Sequence, residues 1–400
     1  MDKGDAHSMR LVHLADIHLG FRQYQRQTPT GINQREADVA VSLRRAIDKV
    51  IELKPELVLI AGDVFHAVRP SNPAILHAFN QFSRLMQALP DASVVMIAGN
   101  HDTPRTAETG CILRLFAQIG ITVVEGEMRR ITIPEHDLSI LAVPDMMKPP
   151  YDPDPNAKYN ILLAHIEVQG VLPRSARELD RRAISVTEKE LGAERWDYVA
   201  LGHYHVYREI GPNAFYSGSL DFTSNNSWAE LAEGSAKDGG KGIIERDLTT
   251  GVHTFHPIPP LREWIDLPAI SGAGLSPASL DEAIRGTVDA LEGGIDDKIV
   301  RLVVRDVPRH IVRELDHKSL REYKRKALQF HLDTRPEVAR LEHGQAGPSR
   351  RASLADTVRD KLRSRVLTEN IDREALVELG LHYLREADLA AGPAEEDAIA

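Results

Sequence analysis

The 400-residue chain has one cysteine, Cys111, so no disulfide can form within it and a zinc site built on cysteines is excluded. Set in the apolar string CILRLF, that thiol reads as a core residue. No stretch approaches the ~18 uninterrupted apolar residues that a membrane-crossing helix needs, so no membrane partner is expected. The opening MDKGDAHSMR lacks the apolar region of a secretory signal, and a cytoplasmic protein is expected. Positive charge is also in deficit. Lys and Arg number 49 against 59 Asp and Glu, a formal net charge of −10. A surface of that sign argues against non-specific nucleic-acid binding by the chain as a whole. It leaves room for a local basic segment, and bound divalent cations would reverse the field around them.

What is present is an ordinary globular composition, 42% hydrophobic, at a length that suggests two or three domains. Short apolar runs recur through about residue 260: LVHLA (11–15), LVLIAG (57–62), VVMIAG (94–99), LSILAVP (138–144), NILLAH (160–165) and YVALGH (198–203). They are nearly continuous in Val, Ile and Leu, as strands buried on both faces are. Between the first two, Val39, Leu43, Ile47, Val50 and Ile51 recur at helical spacing, and Pro55 follows. PSNPAILHAFNQFSRLMQALP is a second helical stretch. The alternation is that of an α/β domain, placed at 9–260. Residues 217–241 read as loop, and GIIERDL-TTG-VHTFHPIP as a hairpin. A smaller α/β domain is expected at 261–337, then a linker (338–352), a helical segment (353–386) and a disordered tail (387–400).

Five of the six runs end in unusual company. The first is followed by Asp16 and His18, the second by Asp63 and His66, the third by Asn100, His101 and Asp102. The fifth ends in His165, and the sixth leads to His203 and His205. The carboxyl ends of strands in an open α/β sheet line one crevice, so these residues are expected to converge. Carboxylate, imidazole and amide oxygen suit borderline divalent metals such as manganese, iron or zinc. Seven ligand candidates, Asp16, His18, Asp63, Asn100, His165, His203 and His205, are too many for one tetrahedral ion. They suit two ions sharing a carboxylate. A lone histidine after a strand is more often a satisfied polar residue. Five such strings in one order are not.

The strings DIHLG, GDVFH, GNHD, AHIEVQG and GHYH resemble, in order, the pattern of the calcineurin-like metallophosphoesterases. HLADIHLG, YVALGHYHVYREI and FYSGSLDFTS resemble more narrowly the SbcD-type DNA repair exonucleases of that superfamily. The resemblance implies a four-layer α/β/β/α sandwich, a small α/β capping domain and a C-terminal helical segment. It implies one metal on Asp16, His18 and His205, another on Asn100, His165 and His203, and Asp63 bridging. Manganese is the first choice for both. His101 would stand beside the metals as general acid or electrostatic stabiliser, Asp102 would orient its ring, and His66 would contact the scissile phosphate. The implied activity is a 3′→5′ double-strand exonuclease with endonuclease action, working with an SbcC-type coiled-coil ATPase.

Residues 298–326 carry ten Lys/Arg against four Asp/Glu, a local net of +6. Arg301, Arg305, Arg309, Lys318, Lys324, Arg325 and Lys326 are therefore candidate DNA-backbone contacts, and a solvated surface is the alternative. The stretches holding Leu76, Phe79 and Phe82, and Leu113, Leu115 and Phe116, correspond to helices that build a homodimer in the family. The terminal pair, with Leu354, Val358, Leu362 and Val366 and then Leu376, Leu379 and Tyr383, corresponds to the segment that docks on the ATPase. Two other functions share the same residues: a small-molecule phosphodiesterase or phosphatase, and a non-catalytic scaffold. A small substrate needs neither the second domain nor the basic segment. A scaffold needs no ligand set.

Overall fold

The structure is a computed structural model, and it describes residues 9–106, 110–171, 184–235, 240–336, 354–364 and 372–391. The apolar runs divide between two six-stranded sheets. The strands are β1 (Arg10–Leu14), β2 (Leu57–Ile60), β3 (Ser93–Ile97), β4 (Thr122–Val124), β5 (Arg129–Ile133), β6 (Leu138–Val143), β7 (Tyr159–His165), β8 (Glu167–Val168), β9 (Ser185–Val186), β10 (Tyr198–Gly202), β11 (Arg208–Gly211), β12 (Ala214–Tyr216), β13 (Gly242–Asp247) and β14 (His253–Pro257). The first sheet runs β14-β13-β1-β2-β3-β4 and the second β11-β12-β10-β7-β6-β5, while β8 and β9 pair separately as a two-stranded sheet. Strands β1 to β4 are parallel, as are β6, β7, β10 and β12. The expected hairpin is β13-β14, and β13 returns antiparallel beside β1.

Side-chain alternation explains the layers. Leu11, Leu57, Leu59, Val95 and Ile97 of the first sheet meet Ile140, Ile161, Leu163, Tyr198 and Phe215 of the second. The alternate residues Val12, Leu14, Val58, Ile60 and Met96 pack on helices α1 (Gln34–Leu53) and α2 (Asn72–Ala88). Asn33 caps α1 by accepting from the N–H groups of Arg35 and Glu36, and Lys54 ends it in the left-handed region before Pro55. Ser71 caps α2. The outer face of the second sheet, with Val143, Leu162, Ala164 and Leu201, is covered by Tyr151, Leu191 and Trp196, and the short helix Glu188–Leu191 contributes there. This is the four-layer arrangement, with a thin fourth layer among the described residues. Burying both faces matters energetically. Leu59→Ala should cost about 2–5 kcal/mol.

Two local readings change. Residues 217–241 are not all loop, because Ser227–Ser235 is helical. Its Trp228 and Leu231 pack on Phe222 and Trp264, a tertiary reward that composition does not announce. Ile112–Ile119 is a run of 3-10 turns rather than an α-helix.

The second α/β module is a parallel three-stranded sheet, β15 (Trp264–Ser271), β16 (Ile299–Arg305) and β17 (Gln329–Thr334), with helices Pro277–Asp289 and His317–Lys326. It has its own core around Leu280, Ile284, Val300, Leu302 and Phe330. It also shares a core with the first module, where Trp264, Ile299 and Leu328 meet Phe222 and the partly buried Tyr24 and Trp228. The chain divides into two compact units between Glu337 and Val338, so both modules lie in one unit. In the second unit, Leu354–Ser364 and Arg373–Ala391 pack together, with Gly380 against Leu362. Val377 is buried, while Leu379 and Tyr383 are exposed. The helix reaches Ala391, five residues into the stretch 387–400 read as tail. Residues 338–352, Val366 and 392–400 lie outside the described residues. Among the described residues no helix is long and apolar enough to cross a membrane.

Candidate metal centre

The strand ends are laced together, twice within the first sheet and once across to the second. The Asp16 N–H donates to the Gly62 carbonyl (3.1 Å), the His18 N–H to that of Asp63 (2.9 Å) and the Asp145 N–H to that of Ala98 (2.9 Å). Two glycines allow the approach. A Cβ on Gly99 would collide with Asp63 Oδ1, and one on Gly202 with the Ala61 carbonyl oxygen. That is why the apolar runs end in Gly before the polar residue. Asp16, His18 and Asp63 sit near φ 50° and His203 at φ 101°, a region that non-glycine residues rarely occupy. Such backbone persists where surrounding contacts hold it, and it clusters at functional sites.

The structure brings all seven ligand candidates together. His165 donates its Nδ1–H to the Ala61 carbonyl (2.8 Å), so its Nε2 faces Asn100 Oδ1 (2.9 Å) and Asp63 Oδ2 (3.4 Å). His203 Nδ1 lies 3.2 Å from the same Asn100 oxygen, and the His203 N–H donates to both Asp16 oxygens (3.0 and 3.1 Å). His18 Nε2 meets His205 Nε2 at 3.0 Å and Asp63 Oδ2 at 3.7 Å. Asp63 therefore stands between the His18–His205 pair and the His165–Asn100–His203 group. Three overlapping sets have their ligand atoms within 4.8 Å of one another: Asp16, His18 and His205; Asp16, Asp63 and His165; His18, His66 and His101. Neutral imidazole nitrogens aimed at carboxylate and amide oxygens are acceptors facing acceptors. Only a cation between them, a proton or a metal ion, relieves that arrangement. Two carboxylates, four imidazoles and an amide oxygen fit borderline divalent ions.

Charge follows the same logic. For Asp63, burial would raise the pKa, but His165, His18 and His101 hold it well below the usual carboxylate range. Burial alone would lower His165, yet Asp63 and Asp16 push it up to about 10. These two shifts describe one interaction. Asp16 is pushed up to about 6 by burial, against the pull of His165 and His205. His18 lies well below the usual histidine value through burial and then the nearby His205.

The remaining candidates divide. His101 Nδ1 donates to the His66 carbonyl (2.7 Å), and its ring stacks on that of His66 with centroids 5.1 Å apart. The expectation that Asp102 orients this ring is corrected. Asp102 accepts instead from the backbone N–H groups of Val64 (3.1 Å), Phe65 (3.0 Å) and Gly99 (3.1 Å), tying the second and third strand ends together. Burial and then Asp63 push its pKa up to about 7 against those three donors. His66 is half-buried, 3.4 Å from His18 across their Nδ1 atoms. Among the basic candidates, Arg301 is already occupied: it forms a two-pronged pair with Asp266 (Nε to Oδ1 2.9 Å, Nη2 to Oδ2 2.5 Å) and lies over the Trp228 ring. Arg305, Arg309, Lys318, Lys324, Arg325 and Lys326 are exposed.

Two residues escaped sequence reasoning. Asp145 ends the fourth apolar run, is buried, and has no hydrogen-bond partner at Oδ1. The signal was present, because that run, like the first two, is followed by a carboxylate. Lys241 is buried and donates to the His205 carbonyl (2.8 Å). It stands in a Gly-rich string that reads as loop, and nothing local marks it.

Comparison with known proteins follows the same residues. Residues 9–207 match the family described as calcineurin-like phosphoesterase. Curated relatives include the DNA double-strand break repair protein Mre11 of Methanococcus maripaludis, 29% identical over 259 residues, covering 60% of this chain and 63% of the relative. The protein of that name from Methanocaldococcus jannaschii is 27% identical over 255 residues, with coverage of 60% and 63%. The one from Methanopyrus kandleri is 26% identical over 219 residues, with coverage of 50% and 45%. The match thus spans less than two thirds of the length of these relatives. Every ligand candidate from Asp16 to His205 falls within the matched residues, and residues 9–207 form a calcineurin-like phosphoesterase domain.

Proposed function

We propose that the chain is a metal-dependent DNA nuclease. It hydrolyses phosphodiester bonds at a two-metal site, degrades duplex ends 3′→5′ with endonuclease action besides, and works in double-strand break repair with an SbcC-type coiled-coil ATPase. The observation that carries this reading is the convergence of seven ligand candidates, six buried and His203 half-buried, whose acceptor atoms face one another. The names of the curated relatives point to DNA as the substrate.

Asp16, His18 and His205 would hold one ion and Asn100, His165 and His203 the other, with Asp63 shared; manganese is the first choice. Bound there, the ions supply Lewis acidity that offsets phosphate charge and acidifies water. The chain supplies the rest. His101 commits Nδ1 to the His66 carbonyl, so its Nε2 is the atom that exchanges a proton with the leaving oxygen. His66, stacked on it, contacts the phosphate. Arg305, Arg309, Lys318, Lys324, Arg325 and Lys326 hold the DNA backbone, which orients the duplex without reading its sequence. The end of the helix His317–Lys326 is tied to the loop that follows the first metal string, because Arg26 donates to the carbonyls of Arg325 (3.0 Å) and Ala327 (3.2 Å). Exposed Leu76 on α2 belongs to a homodimer face, and exposed Leu379 and Tyr383 to the ATPase contact. The setting is the cytoplasm.

The test is end-labelled duplex DNA with the protein and Mn²⁺, repeated with EDTA and with His101→Asn. Shortening that is lost with EDTA and reduced about 10²–10⁴-fold in a variant that still binds metal supports the reading. The position of the surviving label reports polarity. Turnover of a nitrophenyl phosphodiester with DNA untouched, even beside the ATPase, overturns it in favour of a small-molecule phosphodiesterase.

A further inference from the structure

We infer that Lys241, with Glu230 and Ser219, is a positioning device for the metal ligand His205. The inference rests on the metal reading above and names a residue outside the family strings. Lys241 is 4% exposed and Glu230 6%. The Lys241 ammonium donates to the His205 carbonyl (2.8 Å), to Ser219 Oγ (2.8 Å) and to the Glu230 carboxylate, so its three protons have three acceptors. Its charge also lies over the Phe222 ring, 4.7 Å from the centroid. The His205 carbonyl accepts in addition from the Ser219 N–H (3.1 Å). Glu230 in turn holds Ser224, accepting from its N–H (3.3 Å) and its hydroxyl (2.6 Å).

The arrangement has a mechanical consequence. His205 follows His203, a ligand candidate near φ 101°, in a turn that leaves β10. No strand ladder fixes that turn, and its peptide groups need other partners. A buried cation on the His205 carbonyl locks the peptide that carries the ring, and so the direction of Nε2 toward His18 and Asp16. The network continues outward. Ser219 Oγ lies 2.7 Å from the Asp221 carbonyl, and the Asp221 carboxylate pairs with Arg35, whose guanidinium lies over Trp264 of the smaller module. Burying a Lys–Glu pair only to stabilise the fold is a poor bargain, since well-packed apolar residues do as well or better. Holding a ligand loop in one geometry is a task that apolar residues cannot perform. Groups that hold metal ligands from behind commonly change metal affinity 10–100-fold when removed.

The test uses the full chain, with Mn²⁺ as probe. Binding is followed by calorimetry, and the coupling of the two ions by electron paramagnetic resonance. Lys241→Met/Glu230→Leu replaces the pair with apolar side chains and is expected to remain folded in EDTA by circular dichroism. It should lose 10-fold or more in affinity for one of two ions and lose the coupled dinuclear signal. Lys241→Arg should restore part of both. A folded Lys241→Met/Glu230→Leu protein with wild-type affinity for both ions and an unchanged spectrum overturns the device while leaving the metal centre standing. A wild-type protein that binds no Mn²⁺ overturns the metal reading and this inference with it. Should Lys241→Met/Glu230→Leu not fold, Ser219→Ala, which removes one member of the same carbonyl network, is held to the same criteria.

Discussion

Two clusters of buried charge lie within the same unit and behave in opposite ways. Around Arg35, the terminal nitrogens reach Asp38 (3.3 Å) and Asp221 (2.7 Å), Ser42 donates to Asp221 (2.8 Å), and Arg262 approaches Asp38 (3.4 Å). This cluster contains its own cations. The cleft formed by Asp16, Asp63, Asn100 and the four histidines contains none among its ligand candidates unless a ring takes up a proton. Buried atoms without partners occur in both, Arg35 Nε in the first and Asn100 Nδ2 and Asp145 Oδ1 beside the second, so the difference lies in charge. A charge cluster that serves the fold is balanced in charge within the folded chain. One that serves chemistry is left incomplete toward what it binds, and perturbed carboxylates and imidazoles are the trace.

The largest test of this contrast is Asp63→Asn. It removes the carboxylate shared by both ligand groups, so metal content measured by elemental analysis should fall toward none and nuclease activity to background. Full metal occupancy in this variant would break the comparison. Next is Arg35→Met. Removing the cation strands Asp221 and Asp38, which should cost about 3–5 kcal/mol in urea unfolding while Mn²⁺ affinity of the folded fraction changes little. Loss of metal with unchanged stability would reverse the assigned roles.

A pH series sharpens the contrast further. His165 is raised from 6.5 to about 10 in the folded protein by Asp63, so its contribution to stability is complete below pH 6.5 and lost as pH rises through about 10. Thermal melts in EDTA should therefore fall in Tm across that window, while Mn²⁺, which replaces the proton, should flatten the curve. A flat curve in EDTA would mean that the Asp63–His165 pair does not carry the charge assigned to it. The smallest effects concern the basic segment. Neutralising Lys324, Arg325 and Lys326 together should make the salt dependence of DNA affinity shallower, by ~0.9 in slope for each phosphate no longer neutralised. Arg301→Gln should leave that slope alone, because Arg301 is paired with Asp266, and should cost at most about 1 kcal/mol of stability. Equal slopes for the two variants would show that the two-pronged Arg301–Asp266 pair sequesters its cation no more than the long, exposed contacts of Arg325 (3.9 Å) and Lys326 (3.8 Å) with Glu322.

The residue types of the centre could be read from the chain because each follows an apolar run and three of the runs end in Gly or pass through it, which is visible in the strings themselves. Asp145 could have been read the same way. Lys241 could not, since its partners His205, Ser219 and Glu230 lie 36, 22 and 11 positions away with no intervening pattern. Arg301 looked like a DNA contact because charge density along a segment does not reveal that Asp266, 35 residues earlier, lies beside it in the sheet.

The sequence by itself determined that strands bury both faces, that they end in residues of metal-ligand type, and that helices lie between the first and second and between the second and third apolar runs, because these are local properties of periodicity and turn residues. Tertiary structure decided which sheet each run joins, since a strand buried on both faces carries no record of which neighbour covers which face. It also decided that a backbone carbonyl of His66, not the Asp102 carboxylate, holds the His101 ring. A carbonyl is present at every position of any sequence, and only the fold selects the one that points at the ring.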